Sequence, residues 1–112
     1  MPLFKIVSNI DVSDRELFIK KASKEIALIL GKSEKYVMVI FHPNSSLIFS
    51  TNEEPALYIE LKSIGLTGEK TGDITMKIME FLEKETGVSK SRMFIEFTDV
   101  QCNLWGWNGD TM

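Results

Sequence analysis

The stretches IALILGKSEKYVMVIF (residues 26–41) and LEKETGVSKSRMFIEF (residues 82–97) decide the fold, because they share one pattern. In each, a helical run ends at a glycine, a serine follows two positions later, and an apolar run typical of a strand comes next. The offset from Gly31 to Gly87 is 56 residues, half of the 112-residue chain. We interpret the chain as two copies of a βαβ unit.

The boundaries of the predicted elements follow from local patterns. The S-x-x-E pattern of Ser13 and Glu16 predicts that the first helix begins with Ser13 as its cap, and Gly31 predicts its end. A short edge strand is predicted at 46–49. Four longer strands are predicted at 3–7, 36–41, 57–62 and 93–97, and a second helix is predicted to end at Gly87.

This order of elements predicts an α+β fold with a four-stranded mixed sheet. Right-handed crossovers place both helices, antiparallel to each other, on one face of the sheet. The other face is then open, although residues 36–41 are almost continuously apolar and are expected to be covered on both sides. An uncovered apolar face predicts self-association. The alternative is that the tail, with Trp105 and Trp107, folds back over its own sheet.

Length and composition exclude several classes of protein. A chain of 112 residues is expected to form a single domain, residues 1–112, and its net charge of −3 argues against nucleic-acid binding. Cys102 and His42 are the only residues of their types, so no internal disulfide, zinc site or Ser-His-Asp triad is expected. No apolar run approaches the length of a membrane span and no signal peptide precedes the first charge, so a cytoplasmic protein is expected.

Pro2 is the residue that could carry chemistry. If Met1 is removed, the new N-terminus is a secondary amine held in a ring at the start of a strand. An α-amino group has a pKa of about 8, and apolar burial beside a cation lowers it. Lys32, just beyond the first helix, is the candidate cation. The alternative is that Pro2 only leads into the first strand, because the first residue of a strand tolerates proline.

A set of short motifs, in order along the whole chain, gives a resemblance to a known family. The motifs are Met1-Pro2-Leu3-Phe4, Leu30-Gly31-Lys32, Tyr36-Val37, Glu54-Pro55, Ser63-Ile64-Gly65, Arg92 before a strand, and Gly106-Trp107-Asn108-Gly109-Asp110-Thr111. Together they resemble the macrophage migration inhibitory factor and D-dopachrome tautomerase family of the tautomerase superfamily.

The resemblance implies a homotrimer with each active site between neighbouring subunits, and a cofactor-independent keto–enol tautomerase acting on aryl pyruvates or dopachrome-like compounds. Pro2 would be the general base and then the acid, Lys32 would bind the substrate carboxylate and lower the pKa of the proline, and the N–H of Ile64 would donate to the substrate. The residues implied to line the substrate pocket are Leu3, Tyr36, Ser63, Phe94, Glu96, Trp105 and Trp107. No metal or cofactor is implied.

Departures from the family pattern affect what the resemblance implies. Phe94 replaces a pocket tyrosine, and Glu96 replaces an asparagine. A carboxylate there would raise the pKa of a nearby amine and repel an anionic substrate, unless it pairs with Lys32 or points elsewhere. The C-x-x-C motif is replaced by residues 56–59, so a thiol oxidoreductase is not expected. The arginine of the family's proposed receptor-binding loop is missing near Asp11.

Two other functions remain open from the sequence. The first is a cytokine-like ligand that binds a receptor protein, released without a signal peptide, with residual or no tautomerase activity. The second is a ferredoxin-like module such as an RNA-recognition domain, which shares the β-α-β-β-α-β order. The strand at 93–97 lacks the aromatic and basic residues that such domains use to stack bases, and this disfavours the second.

Overall fold

Strands and helices alternate along the chain in a computed structural model that describes residues 1–112. The long elements are β1 (Leu3–Ser8), α1 (Arg15–Leu30), β2 (Met38–His42), β3 (Leu57–Ser63), α2 (Thr71–Thr86) and β4 (Met93–Asp99). Three 3₁₀ turns lie at Glu34–Tyr36, Lys90–Arg92 and Cys102–Leu104, and a small hairpin of β5 (Gly106–Trp107) and β6 (Asp110–Thr111) ends the chain. The α+β class with two βαβ units is confirmed.

The four long strands form one mixed sheet in the order β2-β1-β3-β4. Each βαβ unit supplies a parallel pair, β1 with β2 and β3 with β4, and the two units meet through the antiparallel pairing of β1 with β3. In this register Leu3 lies between Met38 on one side and Lys62 on the other. The N-terminus of the chain therefore lies at the centre of one end of the sheet.

Alternate residues of the two central strands form the core beneath the helices. Phe4, Ile6, Ile59 and Leu61 are fully buried, as strands with one covered face require. Both helices pack on this face, and each large apolar side chain that is buried stabilises the fold by about 1.5–3 kcal/mol. The helix residues that complete the core are Phe18, Ala22 and Ile26 of α1 and Ile74, Ile78 and Leu82 of α2.

The opposite face of the sheet has no element over it. Met38 at the edge of this face is 61% exposed, and Phe94 is 63% exposed. No residue of β2 is fully buried, so the expectation that this strand is covered on both sides is wrong for the single chain. The tail does not cover the face either, because its hairpin packs at the sheet end against Tyr36. Two exposed apolar residues therefore remain on an open face.

The helix ends show which capping predictions hold. α1 begins at Arg15, and its cap is Asp14 rather than Ser13, since an Asp14 carboxylate oxygen accepts the N–H of Leu17 at 3.0 Å. The negative charge of this carboxylate is also attracted by the positive end of the helix dipole, which stabilises the helix. The predicted ends are confirmed: Gly31 and Gly87 have φ of 65° and 78°, the left-handed region that favours glycine.

The link between the two βαβ units is a loop held by Arg92. The predicted edge strand at 46–49 is wrong, because only an isolated bridge joins Phe49 to Asn52. The Arg92 guanidinium instead donates to the carbonyls of Phe49 (2.7 Å), Glu54 (2.8 Å) and Pro55 (3.2 Å). These carbonyls are bound to a side chain rather than to a neighbouring strand, so the segment forms a loop.

Candidate active site

A cleft of about 300 Å³ opens where the start of β1, the turn before β2 and the tail meet. Parallel pairing brings Leu3 beside Met38, and the Pro2 carbonyl accepts the N–H of Met38 at 3.0 Å. The Trp107 ring packs edge-on against Tyr36 with 5.4 Å between ring centroids. The lining residues are Met1, Pro2, Leu3, Lys35, Tyr36, Val37, Met38, Trp105, Gly106 and Trp107. Five of the predicted site residues therefore line one cleft.

The environment of the N-terminus disfavours a positive charge. Pro2 is fully buried, and with Met1 attached its ring nitrogen is part of an amide bond. Burial lowers the pKa of the Met1 amine, and the nearby Lys32 ammonium lowers it further, while Cys102 acts in the opposite direction. An amine placed here is therefore neutral at a lower pH than an amine in water.

Lys32 is held at the end of the β3 strand by its side chain. It directly follows Gly31, and its ammonium group donates to the carbonyl of Ile64 at 2.5 Å. No carbonyl or side chain of this chain accepts the N–H of Ile64. Lys32 itself lines a smaller cavity of about 150 Å³ between α1, α2 and the loop after β3. The three residues predicted to be catalytic thus lie at one end of the sheet. The Lys32 ammonium is close enough to the N-terminus to lower the pKa of the Met1 amine.

Three predicted pocket residues do not line the cleft of their own chain. Ser63 is fully buried on the core side of β3. Phe94 and Glu96 lie on β4, which β3 separates from β1, and Phe94 packs against Phe49 with 4.8 Å between ring centroids. Glu96 is exposed and lies beside Glu60 in the register. Phe94 and Glu96 can reach a Pro2 residue only if it belongs to another chain.

Several residues of the site were not identified from the sequence. Met38 lines the cleft, and pairing the two apolar strands in parallel would have placed it next to Leu3. Lys35 and Val37 also line it, and their residue types carry no signal that separates them from other surface positions. Asp99 contacts the loop that carries Ile64, and an aspartate at the end of a strand is too common to be noticed alone.

The structure shows neither a metal-binding cluster nor a membrane-spanning helix. No group of three His, Cys, Asp or Glu side chains is placed to hold a metal ion. Both helices are too short and too polar to cross a bilayer. Cys102, the only cysteine, is exposed near the tail hairpin.

Comparison with known proteins identifies the family. The family model described as macrophage migration inhibitory factor matches residues 1–112. A macrophage migration inhibitory factor homolog from Brugia malayi is 35% identical over 113 residues, 99% of this chain and 98% of the relative. Among solved structures, the homologue from Prochlorococcus marinus has a TM-score of 0.91 at 38% identity and covers 97% of each chain. The factor from Trichinella spiralis has a TM-score of 0.93 at 30% identity over 98% of this chain and 99% of the other. The chain therefore belongs to the macrophage migration inhibitory factor family.

Proposed function

We propose that this protein is a cofactor-independent keto–enol tautomerase whose general base is the amine of Pro2, freed by removal of Met1. Membership of the family supports a tautomerase-type isomerase in general terms. The observation that carries the proposal is the position of Pro2, which is buried and lines an aromatic-walled cleft at the N-terminus. Burial and the Lys32 ammonium lower the pKa of the Met1 amine there, and the same surroundings would act on the Pro2 amine one residue along the chain. A base whose pKa lies closer to neutrality is more often in its reactive form at physiological pH.

The reaction moves one proton between carbon and oxygen. The lone pair of the Pro2 nitrogen takes the proton from the carbon next to the keto group of an aryl pyruvate. The electrons of that C–H bond form the carbon–carbon double bond, and the keto oxygen becomes the enolate oxygen. The protonated amine then returns the proton to this oxygen, which gives the enol and restores the neutral amine.

The neighbouring groups have the chemistry that this substrate needs. The Lys32 ammonium and the unpaired N–H of Ile64 are suited to bind the substrate carboxylate and to stabilise the developing negative charge. Tyr36 and Trp107 offer aromatic surface for the aryl ring. Met1 itself lines the cleft, so its removal both frees the nitrogen and clears part of the cleft.

We also propose that the active protein is a homotrimer. The exposed Met38 and Phe94 on the open sheet face support association, because apolar residues on an uncovered face are stabilised by contact with a second subunit. A neighbouring subunit could then bring its Phe94 and Glu96 to the cleft. Light scattering should give three times the 12.8 kDa chain mass, and a particle of a single chain mass would contradict the trimer.

The central experiment compares three forms of the N-terminus in phenylpyruvate enolisation. Mass spectrometry first establishes whether Met1 is absent from the wild type. We expect Pro2→Gly to lower kcat/KM by about 10²-fold or more, and a form that keeps Met1 to be inactive, since an amide nitrogen is not basic. Pro43→Gly, which replaces a proline outside the cleft, is the matched control and should keep the wild-type rate. Equal rates in all forms would end the proposal.

A receptor-binding role is the second candidate. The shared name of the relatives, macrophage migration inhibitory factor, describes an effect on cells and supports this role. Such a protein would act outside the cell that makes it, in addition to a cytoplasmic pool. Binding to a receptor ectodomain that survives Pro2→Gly would separate this role from the tautomerase reaction.

A further inference from the structure

Asp99, the last residue of β4, binds the backbone of the loop that follows β3. One of its carboxylate oxygens accepts the N–H of Gly65 at 3.1 Å and the N–H of Leu66 at 3.2 Å. The next residue, Val100, donates its N–H to the carbonyl of Ser63 at 2.9 Å. The end of β4 therefore holds the loop on both sides of Ile64.

The two peptide groups that flank Ile64 are each held by a different contact. The group between Ile64 and Gly65 is planar, so its N–H and its C=O point in opposite directions. Asp99 accepts from the N–H of this group, and Lys32 donates to its C=O. The preceding group carries the unpaired N–H of Ile64, and Val100 binds its C=O. One rigid peptide group thus connects the Asp99 carboxylate to the Lys32 ammonium.

The left-handed conformation of Gly65 explains why the loop needs the contacts that Asp99 makes. Gly65 has a φ of +82°, and apart from its own neighbours in the chain no atom lies within 4 Å of the place where a side chain would begin. Glycine loses much backbone freedom when it is ordered, so a loop turning through it needs other contacts to stay in one conformation. The contacts that Asp99 makes on either side of the turn meet this need.

We propose that Asp99 is a positioning residue: by orienting the Ile64–Gly65 peptide group it fixes the Lys32 ammonium and aims the N–H of Ile64. The proposal rests on the proposed function, in which these two groups bind the substrate carboxylate and Lys32 lowers the pKa of the Pro2 amine. Asp99 itself touches neither substrate nor base. Asp99 acts by holding the backbone of the loop, so the role requires a side-chain oxygen that accepts the two N–H groups.

The kinetic test compares Asp99→Ala with Asp99→Asn. Asparagine keeps an oxygen at the accepting position and removes only the charge, whereas alanine removes the acceptor. We expect Asp99→Ala to raise KM for phenylpyruvate about 10-fold, the size of effect that a lost carboxylate contact produces, and Asp99→Asn to raise it no more than about 3-fold. Equal losses in the two variants would mean that charge rather than position matters, and would overturn the proposal.

Asp11→Ala is the matched control. Asp11 also accepts a backbone N–H, from Val12 at 2.8 Å, in the corresponding loop of the first βαβ unit. That loop lies at the other end of β1 from Pro2. The control should therefore leave KM unchanged. A rise in KM equal to that of Asp99→Ala would show a general effect of losing a surface carboxylate, and would contradict the proposal.

Two measurements that need no activity keep this inference separate from the proposed function. In Asp99→Ala the amide hydrogens of Gly65 and Leu66 should exchange at least about 10-fold faster, the change that loss of their acceptor predicts. The N-terminal amine should titrate at a higher pH, because a less fixed Lys32 lowers its pKa less. If the wild type has no tautomerase activity, these measurements still test the positioning role.

A second variant covers the case in which Asp99→Ala does not fold. Gly65→Ala disfavours the left-handed conformation and disturbs the same peptide group while Asp99 stays in place. We expect it to raise both KM and the pKa of the N-terminal amine, as Asp99→Ala does. An unchanged amine pKa and an unchanged KM in a folded variant of either kind would overturn the proposal.

Discussion

The two βαβ units differ most at the residue that follows each helix. Both helices end at a glycine in the left-handed region, Gly31 in the first unit and Gly87 in the second. The next residue is Lys32 in the first unit, with its ammonium on the Ile64 carbonyl, and Val88 in the second, which is 2% exposed in the core. The repeated backbone thus supplies the scaffold, and one departure from the repeat supplies the charged group that the proposed reaction uses.

The largest expected effect comes from giving the second unit the residue of the first. Val88→Lys places an ammonium group among core residues, where the charged form is strongly disfavoured. We expect the free energy of unfolding to fall by about 3–5 kcal/mol, measured by urea denaturation. Val88→Ala, which only removes methyl groups, should cost about 2 kcal/mol. If the lysine variant were as stable as the alanine variant, position 88 would accept a charged side chain as position 32 does, and the contrast between the two units would be wrong.

The reverse exchange should affect activity more than stability. Lys32→Val is expected to lower kcat/KM for phenylpyruvate about 10²-fold, which corresponds to about 2.7 kcal/mol, and to cost about 1 kcal/mol of stability. A nearby cation disfavours the protonated amine, so removing it raises the pKa of the Pro2 amine. The acid limb of the pH–rate profile should therefore move to higher pH, and the loss should be greater at pH 6 than at pH 8. Lys24→Val, at an exposed position on α1, is the control and should leave the profile unchanged.

The smallest effect concerns the starts of the two helices. Asp14 caps α1 through its side chain, whereas Lys70, at the same place before α2, makes no side-chain cap. Asp14→Ala should lower the free energy of unfolding by about 1 kcal/mol. Lys70→Ala should raise it by a few tenths of a kcal/mol at most, because the positive end of the helix dipole repels a cation near the N-terminus. Urea denaturation of the two variants would measure the difference, and equal losses would show that Asp14 does not act as a cap.

Local patterns predict those parts of the fold that local physics determines. A glycine after a helical run is expected to take the left-handed conformation, and both Gly31 and Gly87 do so. The cap of α1 is misplaced by one residue because Ser13 and Asp14 are both good capping residues, and the path of the incoming chain decides between them. The edge strand at 46–49 is wrong because Arg92, 43 residues after Phe49, takes the carbonyl that a strand partner would bind.

The candidate site could also be predicted only in part, because it depends on contacts between residues that are far apart in the sequence. The spacing of Pro2 and Lys32 along the chain does not indicate that they are close in space, and the expectation comes from the resemblance to the family. In the fold Lys32 is near enough to the N-terminus to lower, together with burial, the pKa of the Met1 amine. The alternation along β4 is enough to place Phe94 and Glu96 on one face. They do not line the cleft of their own chain, and only the proposed trimer would bring them to one. Asp99 acts through the backbone of a loop that only the folded chain brings next to it.

The loop that Arg92 holds is the place where the chain divides into its two βαβ units. It therefore bears on how the protein would be cleaved and on how it could have evolved. The two units are joined covalently only by this exposed loop. Their other contacts include six pairs of residues between β1 and β3, the packing of their helices, and the hydrogen bond from Lys32 to Ile64. A protease cut near Ser50 would leave two peptides, each with a complete βαβ unit and a strand edge that fits the other. A gene of half the length whose product paired with itself is therefore a physically reasonable ancestor of the present chain.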